Sequence, residues 1–563
     1  MSLKSIQKIA LLKIENLKIE FGKTKSENIA VENINLSLAK GKALGIVGES
    51  GSGKSITALA IIGLLPPKAN ITQGSIEFEG VDLLLLSKRE RRKYRGQKIS
   101  MIFQEPMTSL NPVMRCGKQV QESIILNQQL NKKQAKELTI ELFEKVNLPR
   151  PKEIYKSYPH QLSGGQKQRI IIAMAIANNP DILIADEPTT ALDVTVQKEI
   201  ISLLKDLRDE YEMGLIFISH DLGVIKEVAD DVMVMYDGKV VETGSVNKIF
   251  NSPKHPYTKG LLACRPSINT NLKRLPEIDD IVNGQNHLEK SEKKIHHPIG
   301  HPKPTLDVID LTKKYTSKRG LIGNKRIIIK AVDNISFKVY PGETLGLVGE
   351  SGCGKTTLSR AILRLIEPNK GSVFFNEKNL MKLNKASLKD QRKKINIIFQ
   401  DPYSSLNPRI CIGEAIMEPM LVHKLYGNNQ IRKNRVLELL EKVGLREEHY
   451  NRFPHEFSGG QRQRIVIART LALNPKFIIC DEAVSALDVS VQAKVLNLLN
   501  DLKDEFGFTY IFISHDLNVV RYMSDRLIVM KDGKIVEVGN ADQIYNNPSS
   551  DYTKSLIDAV PIS

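Results

Sequence analysis

The stretch GESGSGKS, Gly48 to Ser55, lies between the apolar run LGIV and the helix-like ITALAIIGLL, and its reading decides the fold. A glycine-rich turn from strand to helix aims several backbone N–H groups, the positive end of a helix dipole and one lysine at a single point. That point suits the phosphate tail of a nucleotide, held by Gly48, Ser50, Gly51, Gly53, Lys54 and Ser55. Taken alone, such a match is also what a structural glycine turn looks like. Here GESGCGKT recurs at Gly349 to Thr356, between LGLV and TLSRAILRLI, and supplies Gly349, Ser351, Gly352, Gly354, Lys355 and Thr356 in the same places. Two copies in matching contexts argue for two phosphate-binding sites.

Downstream the chain repeats itself at a constant offset of 295: YPHQLSGGQKQRIIIAMAIANNPDILIADEPTTALDVTVQ from Tyr158 realigns with FPHEFSGGQRQRIVIARTLALNPKFIICDEAVSALDVSVQ from Phe453. The period is a whole domain, so this is a duplication and not a solenoid. In each copy strand-like runs come first, then the loop and its helix, a polar helical stretch, and alternating helices and apolar strands. This order predicts an α/β fold with a mainly parallel core sheet, an antiparallel β part and a helical insertion. The expected boundaries are 1–262 for the first copy, 263–304 for a linker and 305–563 for the second copy. The linker holds five prolines and seven basic against five acidic residues, the composition of a polar spacer. Its His296, His297 and His301 lack flanking cysteine or carboxylate ligands and read as surface residues.

Composition narrows the classes. In 563 residues no apolar run approaches the length of a membrane span, and the N-terminus is broken by lysines where a signal peptide would be apolar. The expectation is a cytosolic chain. Five cysteines without a CxxC pair indicate neither a disulfide framework nor a metal cluster. The net charge of +17 fits nucleic acid, an anionic membrane leaflet or polyphosphate ligands alike. The densest basic run, seven residues between Lys88 and Lys98, has a counterpart from Lys382 to Lys394, which favours a solvated or lipid-facing surface over a nucleic-acid site.

The chemistry gathers at strand ends. Lys54 and Lys355 are expected to reach the β- and γ-phosphates, and the hydroxyls of Ser55 and Thr356 to ligate Mg²⁺. ILIADE and FIICDE each end in two acids; Asp186 and Asp481 are placed to help hold Mg²⁺, and Glu187 and Glu482 to polarise the attacking water. His220 and His515 each follow the glutamate by 33 residues, after LIFIS and YIFIS, as γ-phosphate contacts. Gln104 and Gln400 end ISMIFQ and INIIFQ and are candidates for sensing Mg²⁺ or the water.

Phosphate loop, IFQ, LSGGQ or FSGGQ, the DE pair, ALD and SHD occur in that order twice, and the chain therefore resembles a fused pair of ATP-binding cassette (ABC) ATPases. The resemblance implies that Ser163, Gly164, Gly165 and Gln166 close on ATP held by the second loop, and Ser458, Gly459, Gly460 and Gln461 on ATP held by the first. It matches Phe21 and Tyr315 to the family's adenine-stacking aromatic, with core packing the alternative for Phe21. Both sets are intact, which implies two hydrolytic sites. QEPMTSLNP, QDPYSSLNP and the tails PYTKGLL and DYTKSLI resemble the peptide/nickel importer branch, that of the oligopeptide and dipeptide permeases. That branch implies a motor at the cytoplasmic face of the membrane, working with two permease subunits and an extracytoplasmic substrate-binding protein. Met107 to Pro112 and Tyr403 to Pro408 would be its contacts with the permeases. Many members of the branch carry a cysteine cluster resembling an iron–sulfur site after the first cassette; ACRPS supplies only Cys264, so none is expected. The competing readings are a soluble ABC ATPase acting on ribosome or nucleic acid, and an importer of nickel or another metal chelate.

Overall fold

The computed structural model describes residues 10–22, 29–104, 109–190, 192–266, 272–284, 303–318, 326–485 and 487–560. Met107, Ala191, Ala486, His296, His297 and His301 lie outside these. The first copy contains β1 (Ala10–Phe21), β2 (Ile29–Ala39), β3 (Ala43–Val47), β4 (Ala69–Phe78), β5 (Val81–Asp82), β6 (Ile99–Ile102), β7 (Ile182–Asp186), β8 (Gly214–Ser219), β9 (Asp231–Tyr236) and β10 (Lys239–Ser245). One sheet is antiparallel, in the order β2-β1-β4-β5; the other runs β10-β9-β3-β8-β7-β6. In the second sheet the β3, β6, β7, β8 and β9 pairings are parallel, and only the edge strand β10 runs the other way.

The residue pattern explains the division. β3, β7 and β8 are buried along their whole length, as strands of a parallel sheet covered on both faces must be. β2 alternates buried and exposed side chains, the mark of a sheet with one wet face. The helix Lys54–Ile62 starts directly at Gly53, whose φ of +97° suits glycine, and ends at Gly63 in the left-handed conformation. It packs with β1, β2 and the parallel sheet around Leu12, Ile19, Ile46, Ile61 and Ile184.

The second copy repeats the plan with β11 (Leu306–Lys318), β12 (Arg326–Val339), β13 (Thr344–Val348), β14 (Lys370–Phe375), β15 (Lys378–Asn379), β16 (Ile395–Ile398), β17 (Phe477–Asp481), β18 (Thr509–Ile513), β19 (Arg526–Lys531) and β20 (Lys534–Asn540). Its sheets run β12-β11-β14-β15 and β16-β17-β18-β13-β19-β20. The order of the parallel sheet brings the C-terminal ends of β7 and β8 beside the end of β3, where the phosphate loop begins; β17 and β18 do the same beside β13. Helical segments fill the insertions, Cys116–Gln128 with Lys132–Lys145 in the first copy and Ile412–Val422 with Asn429–Lys442 in the second. One apolar cluster then runs through both copies, from Ile102 and Phe143 to Phe512 and Val560.

The stretch expected to be a polar spacer is docked over part of its length. Leu275 and Ile278 are buried. The side chain of Asn497, in the helix Val489–Phe506, accepts from Leu275 N and donates to Leu275 O, both at 2.9 Å. Arg274 pairs with Asp501 at 2.7 Å and Tyr522 donates to Lys273 O at 3.0 Å. Prolines and charges read as spacer because the pairing that buries Leu275 is long-range and invisible to local composition.

Candidate functional site

The first phosphate loop is strung between two supports. Lys54 Nζ donates to Gly48 O and Glu49 O at 2.7 Å, and Tyr257, in the tail motif PYTKGLL, accepts from Glu49 N at 3.1 Å through its hydroxyl. The second loop is the same: Lys355 Nζ reaches Gly349 O at 2.6 Å and Glu350 O at 3.0 Å, and Tyr552 accepts from Glu350 N at 3.2 Å. The tyrosines are loop supports that sequence reasoning passed over, although Tyr257 and Tyr552 stand at the common offset of 295. Burial pulls the Lys54 ammonium below lysine's ordinary range, against the opposing pull of Asp488, Glu187 and Asp186. A lysine so desolvated gains when an anionic phosphate arrives.

The acidic pairs meet the loops as the strand order requires. Ser55 Oγ donates to Asp186 Oδ1 at 3.1 Å, and Thr356 Oγ1 to Asp481 Oδ1 at 3.3 Å. Burial, with the neighbouring glutamate's charge, raises Asp186 to about 6 and raises Asp481. A hydroxyl and a carboxylate side by side beneath a phosphate loop are hard oxygen donors, the set that Mg²⁺ takes together with phosphate oxygens and water.

One residue further on the backbone turns sharply. Glu187 and Glu482 have φ of +47° and +52°, uncommon for a side chain other than glycine, and their N–H groups donate to Ile218 O and Ile513 O at 2.9 Å. The turn lifts each carboxylate off the sheet into a ring of donors. Glu187 Oε2 accepts from Gln104 Nε2 at 3.0 Å and from Thr190 Oγ1 at 2.9 Å, and lies 3.2 Å from His220 Nδ1. Glu482 Oε2 accepts from Gln400 Nε2 at 2.7 Å and lies 3.6 Å from His515 Nδ1. Ser485, the counterpart of Thr190, instead donates to the main-chain oxygen of Glu482 at 2.9 Å. Burial alone would raise the Glu187 carboxyl; the His220 bond and charge, the Thr190 hydroxyl and Lys54 outweigh it and bring it to about 2. Glu482 is lowered by His515 in the same way, and each histidine is raised by its glutamate against its own burial. Glutamine, glutamate and histidine, proposed separately from the sequence, thus meet at one carboxylate in each copy, and in the first copy Thr190 joins them, a member that no sequence signal singled out.

The signature stretches are capping boxes. Ser163 Oγ accepts from Gln166 N and the Gln166 side chain accepts from Ser163 N, at 3.3 and 3.1 Å; Ser458 and Gln461 do likewise at 3.4 and 3.1 Å. The glycine between is fixed by close approach, since a Cβ on Gly165 or Gly460 would meet a Val196 or Val491 methyl at 2.6 or 2.0 Å. Ser163, Gly164 and Ser458 are exposed. What faces the opposite loop is the turn after the acidic pair. A cavity of about 290 Å³ at the second loop is lined by Ser351, Gly354, Lys355, Thr356, Gln400 and Glu482, and from the first copy by Thr190, Leu192 and Asp193. In the other direction Ser50 N donates to Asp488 Oδ2 at 3.1 Å.

The two aromatic candidates differ. Phe21 packs against the core around β1, whereas Tyr315 is 44 % exposed with Lys313 Nζ 5.3 Å over its ring. Beside Gln400 a second cavity, of about 610 Å³, opens against Phe399, Ser404, Ser405 and Arg469, and Tyr403, next in sequence to Ser404, is 63 % exposed. Among the described residues no group of three or more His, Cys, Asp or Glu forms a metal-ion cluster, and no helix is long and apolar enough to cross a membrane.

Comparison with known proteins agrees with this geometry. Residues 31–190 and 332–485 match the family described as ABC transporter, and residues 241–293 and 536–563 match the family described as oligopeptide/dipeptide transporter, C-terminal region. The second match covers both tail tyrosines and continues past residue 262. Among curated relatives, the glutathione import ATP-binding protein GsiA of Escherichia coli O6:H1 is 47 % identical over 569 residues, covering 98 % of this chain and 90 % of the relative. The same-named protein of Pectobacterium atrosepticum is 45 % identical over 565 residues, with the same coverage. Among solved structures, the ATP-binding cassette MJ0796 in a dimeric post-hydrolysis state is 33 % identical at a TM-score of 0.38, over 42 % of this chain and 98 % of that one.

Proposed function

This chain belongs to the ABC transporter family and is the ATP-hydrolysing subunit of a peptide-type importer; from that premise we propose how its residues work and what it carries. The observation that supports the site assignment is the duplicated ring in which Gln104 and His220, or Gln400 and His515, meet one carboxylate beside a phosphate loop. The N–H groups of Gly48–Ser55 and Gly349–Thr356 take the phosphates of two ATP molecules. Lys54 and Lys355 exchange their loop carbonyls for β- and γ-phosphate oxygens. Held as carboxylates by their histidines, Glu187 and Glu482 orient a water and accept its proton as it attacks the γ-phosphorus. His220 and His515 then contact the γ-phosphate. Mg²⁺, held through Ser55, Asp186 and Gln104 or Thr356, Asp481 and Gln400, would neutralise developing phosphate charge. Tyr315, three residues before the end of β11, stacks on adenine at the second site, and Phe21, for all its packing, is the last residue of β1 at the first.

The signature helices supply the closing contact. With Ser163, Gly164 and Ser458 exposed at the starts of the signature helices and the turn after each acidic pair already against the opposite loop, a modest approach of the copies brings the helices' N-terminal donors, Ser163–Gln166 and Ser458–Gln461, onto the other copy's γ-phosphate. We divide the chain accordingly into a cassette at 1–262, a linker at 263–304 and a cassette at 305–563, with residues 272–284 of the linker seated on the second cassette. Importer subunits of this kind act on transmembrane permeases. The cavity beside Gln400 and the stretch Tyr403 to Pro408, with Tyr403, Ser404, Asn407 and Pro408 exposed, receive one permease, and Met107 to Pro112 the other, at the cytoplasmic face of the membrane. An extracytoplasmic binding protein delivers the cargo.

For cargo, the name shared by the relatives supports glutathione or a similar short peptide over a nickel chelate, and the peptide-transporter tails weigh against a ribosomal or nucleic-acid role. Cells lacking this chain are expected to lose uptake of labelled glutathione, and restored wild-type chain, but not a form carrying Glu187→Gln and Glu482→Gln, to return it. Uptake unchanged in the deletion would move the cargo elsewhere among peptides.

A further inference from the structure

The two SHD turns meet across a cavity that also contains a residue of the linker. Its lining includes His220 and Asp221 from the first copy, His515 and Asp516 from the second, and Arg265, just beyond the helix Pro256–Ala263. Arg265 Nη1 and Nη2 donate to the two carboxylate oxygens of Asp221 at 2.5 and 3.2 Å, and the guanidinium is only 10 % exposed. Asp516 and Glu227 act on the same cation electrostatically.

The acids are otherwise used alike. Asp221 caps the helix after it by accepting from Gly223 N and Val224 N, and Asp516 from Asn518 N and Val519 N. Each stands one residue beyond the histidine that meets its own glutamate. The arginine is not duplicated, because at the common offset of 295 Arg265 becomes Val560. A nearly symmetric pair of acidic turns therefore shares one asymmetric cation. The linker is anchored beyond it by Leu275 on Asn497 of the second copy, so Arg265 is tied to both halves.

We propose that Arg265 is a positioning residue that couples the two ATP sites, gripping the Asp221 turn and balancing the charge of the Asp516 turn. The inference rests on the two-site ATPase reading above. Removing the cation leaves the partly buried Asp221 carboxylate without its counter-ion and opposite a like charge, which drives the turns apart and moves His220 relative to Glu187. The phosphate loops are untouched by this.

The test is steady-state ATP hydrolysis by the full chain carrying Arg265→Met, with and without Asp516→Asn, and Asp516→Asn alone as reference. Arg265→Met is expected to lower kcat about tenfold with KM for ATP changed less than about twofold, and the added Asp516→Asn to return about half of the loss or more, as coupled neighbours do. A kcat near wild type in Arg265→Met overturns the proposal, as does a loss that Asp516→Asn leaves in place. Should Arg265→Met not fold, the double variant decides: turnover at about half the wild-type rate or better supports the shared cation, and an inactive double variant overturns it. A wild-type chain without turnover would count against the ATPase reading instead.

Discussion

Replacing Glu187 and Glu482 together by glutamine is expected to slow ATP turnover by ~10²–10⁴-fold while ATP binding survives, the loss typical of a removed general base. The geometry gives the reason. Each carboxylate projects from a strained left-handed turn into a ring of donors, so its position is fixed before nucleotide arrives. Glutamine keeps the shape and one acceptor oxygen but cannot take a proton. Single variants separate the sites in phosphate-release assays. A fall with either one makes both sites hydrolytic, whereas one silent variant would make the pair functionally unequal. The extra Thr190 bond to Glu187, which Ser485 does not reproduce, makes the first site the more tightly held.

Gly354→Ala is expected to weaken ATP binding at the second site by about 100-fold, equivalent to ~3 kcal/mol. Gly354 has φ +108°, and a Cβ there would stand 2.0 Å from Ala331 O. That oxygen belongs to the backbone of β12 and cannot swing aside as a side chain would. The phosphate loop must open, and its N–H groups lose their common focus. Gly352→Ala is the matched control: φ is +82°, but a Cβ meets nothing within 4 Å, so only the backbone penalty of roughly 1–2 kcal/mol applies. Equilibrium titration with a fluorescent ATP analogue compares the two. Equal affinities would contradict the steric argument.

How much of this was legible in sequence depended on whether the signal was local. The loops, the DE pairs and the strand-end histidines were readable because a strand–turn–helix switch and an apolar strand with two terminal acids are contiguous patterns, and duplication made each of them count twice. The ring around Glu187 was readable only in part. Gln104 and His220 end apolar strands, but Thr190 is one hydroxyl among TTALD, and its bond follows from a left-handed backbone that composition does not signal. Tyr257 and Tyr552 were visible as a family-like tail, yet their support of the glycine loops needed the three-dimensional return of that tail. The linker was the least legible part. Its polar, proline-rich sequence conceals long-range contacts, among them Leu275 on Asn497 and Arg265 on Asp221.

The most direct test of the central claim is to capture the Glu187→Gln, Glu482→Gln chain from detergent-solubilised membranes in the presence of ATP and identify what accompanies it. The account predicts two multi-span permease proteins, retained with ATP and reduced without it. Ribosomes or nucleic acid in their place, with no membrane protein, would contradict it.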